Sequence, residues 1–296
     1  MTTQPLTKEQ AVNAAIREIS HIATLPEITL KIIELVESPN STAQDLHKVI
    51  ANDPALCSRI LKVVNSAFYG LPGQIGSINR AIVLLGLNAV KNIAIAASLA
   101  KLFRGGSLTP EFSAKNLWTH SVAVASASKM IADHIKLGLS DEAFLAGLIH
   151  DIGMIVEIQY DRQKFIEVLG RVMPDGGTGA PACSMLEAEE QIFGANHQDF
   201  GQGLCEKWKF PRSFSMVTGF HHHPQDLPHE ARTLVSIIAA ADRLAGNLEG
   251  SFRLDVMETK VPAEILADLK MTAEAMDQIA AKLPQQIENV SAMLAT

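Results

Sequence analysis

The stretch Ser140–Gly153 reads SDEAFLAGLIHDIG. It opens as a helix start: Ser140 is a residue that caps, and Asp141 and Glu142 put negative charge where the helix dipole favours it. Phe144, Leu145, Leu148 and Ile149 follow at helical spacing. His150 and Asp151 then arrive inside the apolar run. A carboxylate buried there is costly unless it meets a cation or several donors. The stretch therefore predicts a core helix that runs into a polar site.

Outward from this stretch the periodicity stays helical, and no period-two alternation bounded by hairpin turns appears. The pattern predicts helices near 8–22, 26–37, 42–51, 54–66, 78–85, 88–103, 110–136, 141–151, 153–169, 184–193, 197–208, 211–222 and 229–245, with one or two after 262. Thr7 with Gln10, and Ser41 with Gln44, have capping-box spacing. Asp53-Pro54, Thr109-Pro110 and Phe210-Pro211 put proline where a first helical turn tolerates it. Pro174–Pro181 reads as a loop, and so does Arg104–Leu108. The latter is taken as the junction between two helical lobes, 1–108 and 109–296. The expected fold is all-α.

A chain of 296 residues that is 47% hydrophobic can bury a substantial core. A net charge of -7 and a pI near 5.8 argue against a general nucleic-acid grip, which needs a basic stripe. Cys57, Cys183 and Cys205 are far apart and form no CxxC pattern, so buried free thiols in a reducing compartment are expected. The opening MTTQPLTKEQ lacks a signal-peptide apolar core, and the longest apolar stretches read as interrupted and too short to span a bilayer. A soluble, cytoplasmic chain with no nucleic-acid or membrane partner is expected.

Five histidine-bearing or acidic motifs follow one another in the second half. They are Trp118-Thr119-His120, His150-Asp151-Ile152-Gly153, His197-Gln198-Asp199-Phe200-Gly201, His221-His222-His223-Pro224 and Ala241-Asp242-Arg243. Imidazole and carboxylate suit iron, manganese or zinc. Each feature also has an ordinary explanation. A lone helical histidine is commonly a core or surface residue. The His221–His223 run could be a solvated helix end, and Asp242 could cap or pair locally. Asp242 nevertheless follows Ile237, Ile238 and three alanines, so it too should be buried. A metal resolves the difficulty for all of them at once.

The ordered set His120, His150-Asp151 and Asp242 resembles the signature of the HD superfamily of metal-dependent phosphohydrolases. His197 and the His221-His222 pair resemble the additional ligands of its HD-GYP branch. The first half is similar to the HDOD family: Asn52-Asp53-Pro54-Ala55-Leu56, Val63-Val64-Asn65-Ser66-Ala67-Phe68-Tyr69-Gly70, and Ser77-Ile78-Asn79-Arg80-Ala81-Ile82 through Leu85-Gly86-Leu87. The resemblance covers roughly residues 20 to 245. It implies an HD-like helical bundle carrying an additional N-terminal HDOD lobe. It also implies a metal set of His120, His150, Asp151, His197, His221, His222 and Asp242, with Asp151 bridging two divalent ions. Iron or manganese is favoured and zinc is possible. His223 matches no ligand position. Two departures bear on activity: Met154 stands where the HD-GYP branch has lysine after the motif glycine, and the Gly-Tyr-Pro loop is absent.

Three functions are compatible with these residues. One is a metal-dependent phosphohydrolase or phosphodiesterase acting on a phosphate ester or nucleotide, with Asp151 as its catalytic residue. A second is a non-catalytic signalling module whose N-terminal lobe binds a protein partner. A third is an HD-type di-iron oxygenase. Within the first lobe, Asn65, Tyr69, Asn79 and Arg80 beside the Gly70-Leu71-Pro72-Gly73 turn are expected to fix that loop more than to present a surface.

Overall fold

The structure, a computed structural model, describes residues 7–19, 26–38, 40–66, 69–103, 106–109, 112–174, 180–248 and 252–294. The helices in chain order are α1 (Lys8–Ile19), α2 (Glu27–Glu37), α3 (Ala43–Ala51), α4 (Pro54–Val64), α5 (Ile78–Leu85), α6 (Leu87–Leu99), α7 (Ala114–His134) and α8 (Ser140–Ile149). There follow α9 (Ile152–Tyr160), α10 (Arg162–Val172), α11 (Met185–Phe193), α12 (His197–Lys207), α13 (Arg212–Phe220), α14 (Thr233–Gly246), α15 (Ala263–Leu269) and α16 (Ala273–Leu294). Among the described residues the only β-type pairing is an isolated bridge between Ser107 and Ser113. The fold is all-α, as the periodicity predicts.

Several helix ends are set by caps one or a few residues from those anticipated. The Thr7–Gln10 box forms as expected. The second box is Thr42 with Asp45, not Ser41 with Gln44, because the Asp45 carboxylate reaches the Thr42 backbone N–H. α7 starts at Ala114, where Ser113 and Asn116 close a reciprocal box, and not at residue 110. Ser140 does not cap α8; it is the helix's first residue, and its hydroxyl donates to Asp133. The anticipated helix 153–169 is two helices. Asp161 accepts from the backbone N–H groups of Gln163 and Lys164 and so restarts the chain as α10. Residues 20–22, Ala67, Phe68, Arg104, Gly105, Pro110 and Asp175 to Gly179 belong to anticipated features that lie outside the described residues.

The core is organised around α7. It packs against α8, α14 and α16, and its Ser121–Ser128 stretch is buried throughout. Small side chains permit close approach: a Cβ on Gly147 of α8 would lie 2.8 Å from the Ala125 Cα and the Ser128 hydroxyl. α9 packs on α12, and α12 on α13. Helices from the start of the chain join this assembly, with α1 against α9 and α12, α6 against α8, and α4 against α16. Asn65 ties the end of α4 to Ile75: its side chain accepts from the Ile75 N–H (2.6 Å) and donates to the carbonyls of Leu61 and Ile75 (2.8 Å each). Tyr69 donates its hydroxyl to Asp141 at the start of α8 (3.0 Å).

Two readings of composition are corrected. Ser140–Tyr160 is long and apolar enough to cross a membrane by length and composition, yet it is broken at His150-Asp151 and 83% of its most apolar window is buried among other helices. Of the three cysteines, only Cys205 is buried, where burial pushes its thiol up to about 12; Cys57 is half-buried and Cys183 exposed.

Candidate metal centre

The seven sequence-derived residues arrive from five helical segments. His120 sits in the first half of α7. His150 and Asp151 form the corner between α8 and α9. His197 is the first residue of α12, behind the cap Asn196. His221 and His222 follow the end of α13, and Asp242 lies inside α14. Gly153 makes the corner possible: a Cβ there would lie 1.8 Å from the carbonyl oxygen of His197. Any side chain would force α9 and α12 apart and carry Asp151 away from His197.

All seven converge. Neighbouring imidazole rings have centroids 4.2 to 5.5 Å apart across His120–His150, His150–His221, His197–His221, His197–His222 and His221–His222. Asp151 is central, and its two oxygens face opposite ways. Oδ1 lies 3.3 Å from His221 Nε2 and 3.7 Å from His197 Nε2. Oδ2 lies 3.1 Å from His150 Nε2 and 3.8 Å from His120 Nε2. Asp242 Oδ1 lies 3.1 Å from His120 Nε2. His223 is exposed and takes no part.

The outer ring nitrogens show which atoms are free. His150 Nδ1 is 2.8 Å from the Gly147 carbonyl, and His221 Nδ1 is 3.1 Å from that of Val217. His197 Nδ1 lies 2.8 Å from Glu189, whose carboxylate also accepts the His197 backbone N–H at 3.0 Å. When Nδ1 donates outward, the Nε2 lone pair is directed inward, which is how second-shell acceptors orient metal-binding histidines. His197 Nε2 and His222 Nε2 face each other at 3.0 Å.

Sequence reasoning missed two acids. Asp255, in the irregular segment between α14 and α15, brings its carboxylate into the cluster. Glu189 sits on the buried face of α11 with Met185, Ala188 and Phe193, a carboxylate on an apolar stripe that its helical spacing could have disclosed. Two groups of donors result: Asp151, His197, His221 and His222, and His120, His150, Asp242 and Asp255. Within each group, one donor atom per residue lies within 4.8 Å of all the others.

The centre is electrostatically unfinished. His120 Nε2, His150 Nε2, His221 Nε2 and both oxygens of Asp151, Asp242 and Asp255 are buried and make no well-formed hydrogen bond. The short ion-pair distances above therefore bring charges together without aligned donors. Burial works against a charged His150, but Asp151, Asp242 and Asp255 overcome it and raise its pKa to about 9. Burial and the neighbouring histidines His221 and His197 hold His222 well below its ordinary value. Burial, then Asp242 and Asp151, lift Asp255 well above the usual carboxylate range. Native proteins rarely leave so many buried polar atoms unpaired. Inward imidazole nitrogens mixed with carboxylate oxygens fit a divalent transition metal, and the orphaned atoms are those such an ion would satisfy.

One cleft borders the cluster. It encloses about 330 Å³, and His222, Arg243, Asp255, Met257 and Lys260 are among its lining residues. Met154, at the position of the missing lysine, is fully buried in the core.

Comparison with known proteins agrees with this architecture. The chain is 24% identical over 288 residues to an uncharacterized protein of Treponema pallidum (strain Nichols), an alignment covering 92% of this chain and 50% of the relative. It thus spans about half the length of that curated relative. Three solved structures share the fold. An "HDOD domain protein with unknown function" from Geobacter sulfurreducens superposes with a TM-score of 0.66 at 23% identity, covering 94% of this chain and 98% of that one. A "Putative phosphohydrolase" from Shewanella amazonensis SB2B gives 0.71 at 22%, covering 95% and 98%. A "Putative signal transduction protein" from Marinobacter aquaeolei VT8 gives 0.74 at 18%, covering 98% and 66%. The model of the HDOD domain matches residues 22–224, well over half of the sequence. The chain belongs to the HDOD domain family.

Proposed function

We propose that this chain is a signal-transduction protein with a working dinuclear metal centre, in which Asp151 bridges two divalent ions. The observation that carries the reading is the division of labour at Asp151, whose Oδ1 faces His197 and His221 while Oδ2 faces His150 and His120. One carboxylate is thereby offered to two donor groups. The mixture of imidazole and carboxylate favours iron or manganese over zinc. Helices from residues 1–108 supply the surface for a protein partner, and the acidic charge of the chain weighs against nucleic acid.

A second reading, hydrolysis of a phosphate-containing small molecule, is favoured by the cleft beside His222, where Arg243 and Lys260 could attract an anion. A bound pair of ions would supply Lewis acidity to such a reaction. The chain's part would be to hold Asp151 between the two groups and to keep His197 oriented through Glu189. The buried Met154 offers no charge where the HD-GYP branch has lysine.

Elemental analysis of protein purified without added metal, together with anaerobic titration of chelated protein with Fe2+, Mn2+ and Zn2+, tests the centre. Two ions per chain, with iron or manganese retained best, are expected. A chain that retains none of the three metals overturns the reading. Turnover of a generic phosphodiester by the loaded protein would move the conclusion from signalling to hydrolysis.

A further inference from the structure

Asp255 is the one member of the cluster that no motif announces. It lies in the segment between α14 and α15, where Phe252 to Pro262 form no helix. Its side chain is nevertheless fully buried. Phe252 anchors the segment: its ring packs against Phe112 (5.5 Å between centroids) and edge-on against His120 (5.3 Å). Neither oxygen of Asp255 makes a hydrogen bond. The carboxylate joins the donor group of His120, His150 and Asp242, and Oδ2 also lies 3.7 Å from His222 Nε2. Asp242 and Asp255 share one donor group, and among the described residues every ion pair made by Asp151, Asp242 and Asp255 is with a histidine. A third buried acid in such a place is neutralised either by a proton or by a cation.

We propose that Asp255 is a metal ligand, holding one ion together with His120, His150 and Asp242. The inference rests on the metal-centre reading above and has a consequence for it. A fourth protein donor of its own takes one coordination position of that ion from water or substrate, and catalytic sites depend on such open positions. Three carboxylates against two divalent ions also leave less positive charge to attract a phosphate anion. The segment that lines the cleft thus limits access to the centre, which favours a signalling role over hydrolysis.

The test compares full-length wild type, Asp255→Ala, Asp255→Asn and the exposed neighbour Glu258→Ala, each stripped of metal and titrated with Co2+. Calorimetry counts and ranks the sites, and the visible d–d spectrum reports coordination number. Wild type is expected to bind two ions. Asp255→Ala is expected to weaken one of them by about tenfold or more, since even outer-shell partners are worth about that, and to change the band intensity as water replaces the carboxylate. Asp255→Asn keeps the side-chain volume and should show the same direction, so the test survives if the alanine variant folds poorly. Glu258→Ala should match wild type. If both Asp255 variants bind two ions with wild-type affinity and spectrum, Asp255 is no ligand, while the dinuclear centre stands. If the wild type binds no Co2+, both readings fall.

Discussion

Two regions of the molecule bury charge, and they do it differently. In the first, Lys91 of α6 is only 2% exposed, yet its ammonium donates to the Leu35 carbonyl (2.6 Å) and to the Ser41 hydroxyl (2.7 Å). Leu35 lies in the last turn of α2, where a cation suits the free carbonyls and the dipole. Burial lowers the lysine's pKa, and the chain itself supplies the partners. In the second, Asp151, Asp242 and Asp255 are equally buried, yet their oxygens find no aligned donor. The same chain satisfies one buried polar group with its own atoms and leaves these three acids without an aligned partner among the described residues. Buried polarity in the first region is thus satisfied by the chain itself, and in the second it fits the metal centre proposed above.

The largest expected effect strikes the second region. Asp151→Ala should lose more metal than His120→Ala or His222→Ala, because its two carboxylate oxygens are divided between the two donor groups. Each imidazole offers one nitrogen to one ion. Its loss also leaves two cations near each other without their shared anion. The check is metal per chain for the three variants, purified alike and shown to be folded by circular dichroism. Retention of two ions by Asp151→Ala, with loss in His120→Ala, would reverse the assignment.

Next in size is Glu189→Gln. The carboxylate holds His197 through both its backbone N–H and Nδ1. An amide is a weaker, uncharged acceptor, so the histidine loses basicity and fixed orientation. Metal affinity should fall by about 10–100-fold with the fold intact. An unchanged binding isotherm would make Glu189 a packing residue only.

The legible part of the centre was what helices and motif order announce. His120, His150, Asp151 and Asp242 interrupt apolar helical runs, where a polar residue has to be explained, and His197, His221 and His222 complete a known order. Asp255 gave no such sign, since it sits in a segment without periodicity and matches no motif. The all-α class was legible for the same reason as the core positions, because a period of 3.6 needs no tertiary knowledge. The break between α9 and α10 was not, since apolar spacing runs on from Ile155 through Phe165 while the decisive event is a single cap at Asp161. Convergence itself depends on contacts such as Gly153 against His197, which exist only in three dimensions.

In the first region, Lys91→Met keeps the apolar stem and removes the donor. Leu35 O and Ser41 Oγ lose their shared partner, and the cost should be about 1–3 kcal/mol. Urea unfolding with and without chelator should give the same loss, because the region is satisfied by the chain alone. A loss seen only in metal-loaded protein would break the contrast between the two regions.

The smallest effect, and the finest probe of the boundary between satisfied and unsatisfied burial, concerns Glu157 of α9. It is fully buried and faces Glu189. Burial first, and the Glu189 charge second, hold its carboxyl protonated well above the usual range. The unfolded chain gives up this proton near pH 4.3. Above that pH the folded state binds more protons than the unfolded one, so stability falls as pH rises until the folded group itself ionises. Glutamine has a similar shape and no titrating proton. Relative to wild type, Glu157→Gln should therefore gain stability steadily as pH rises from about 5, by no more than about 1.4 kcal/mol per pH unit for one proton. Urea midpoints of both proteins at about pH 5, 6 and 7, in chelator, measure the difference. The slope of that difference is the test, since a constant offset reports only how well the amide packs. Parallel pH profiles would mean that Glu157 ionises alike in both states, and the carboxylate pair behind His197 would then carry full charge on both members.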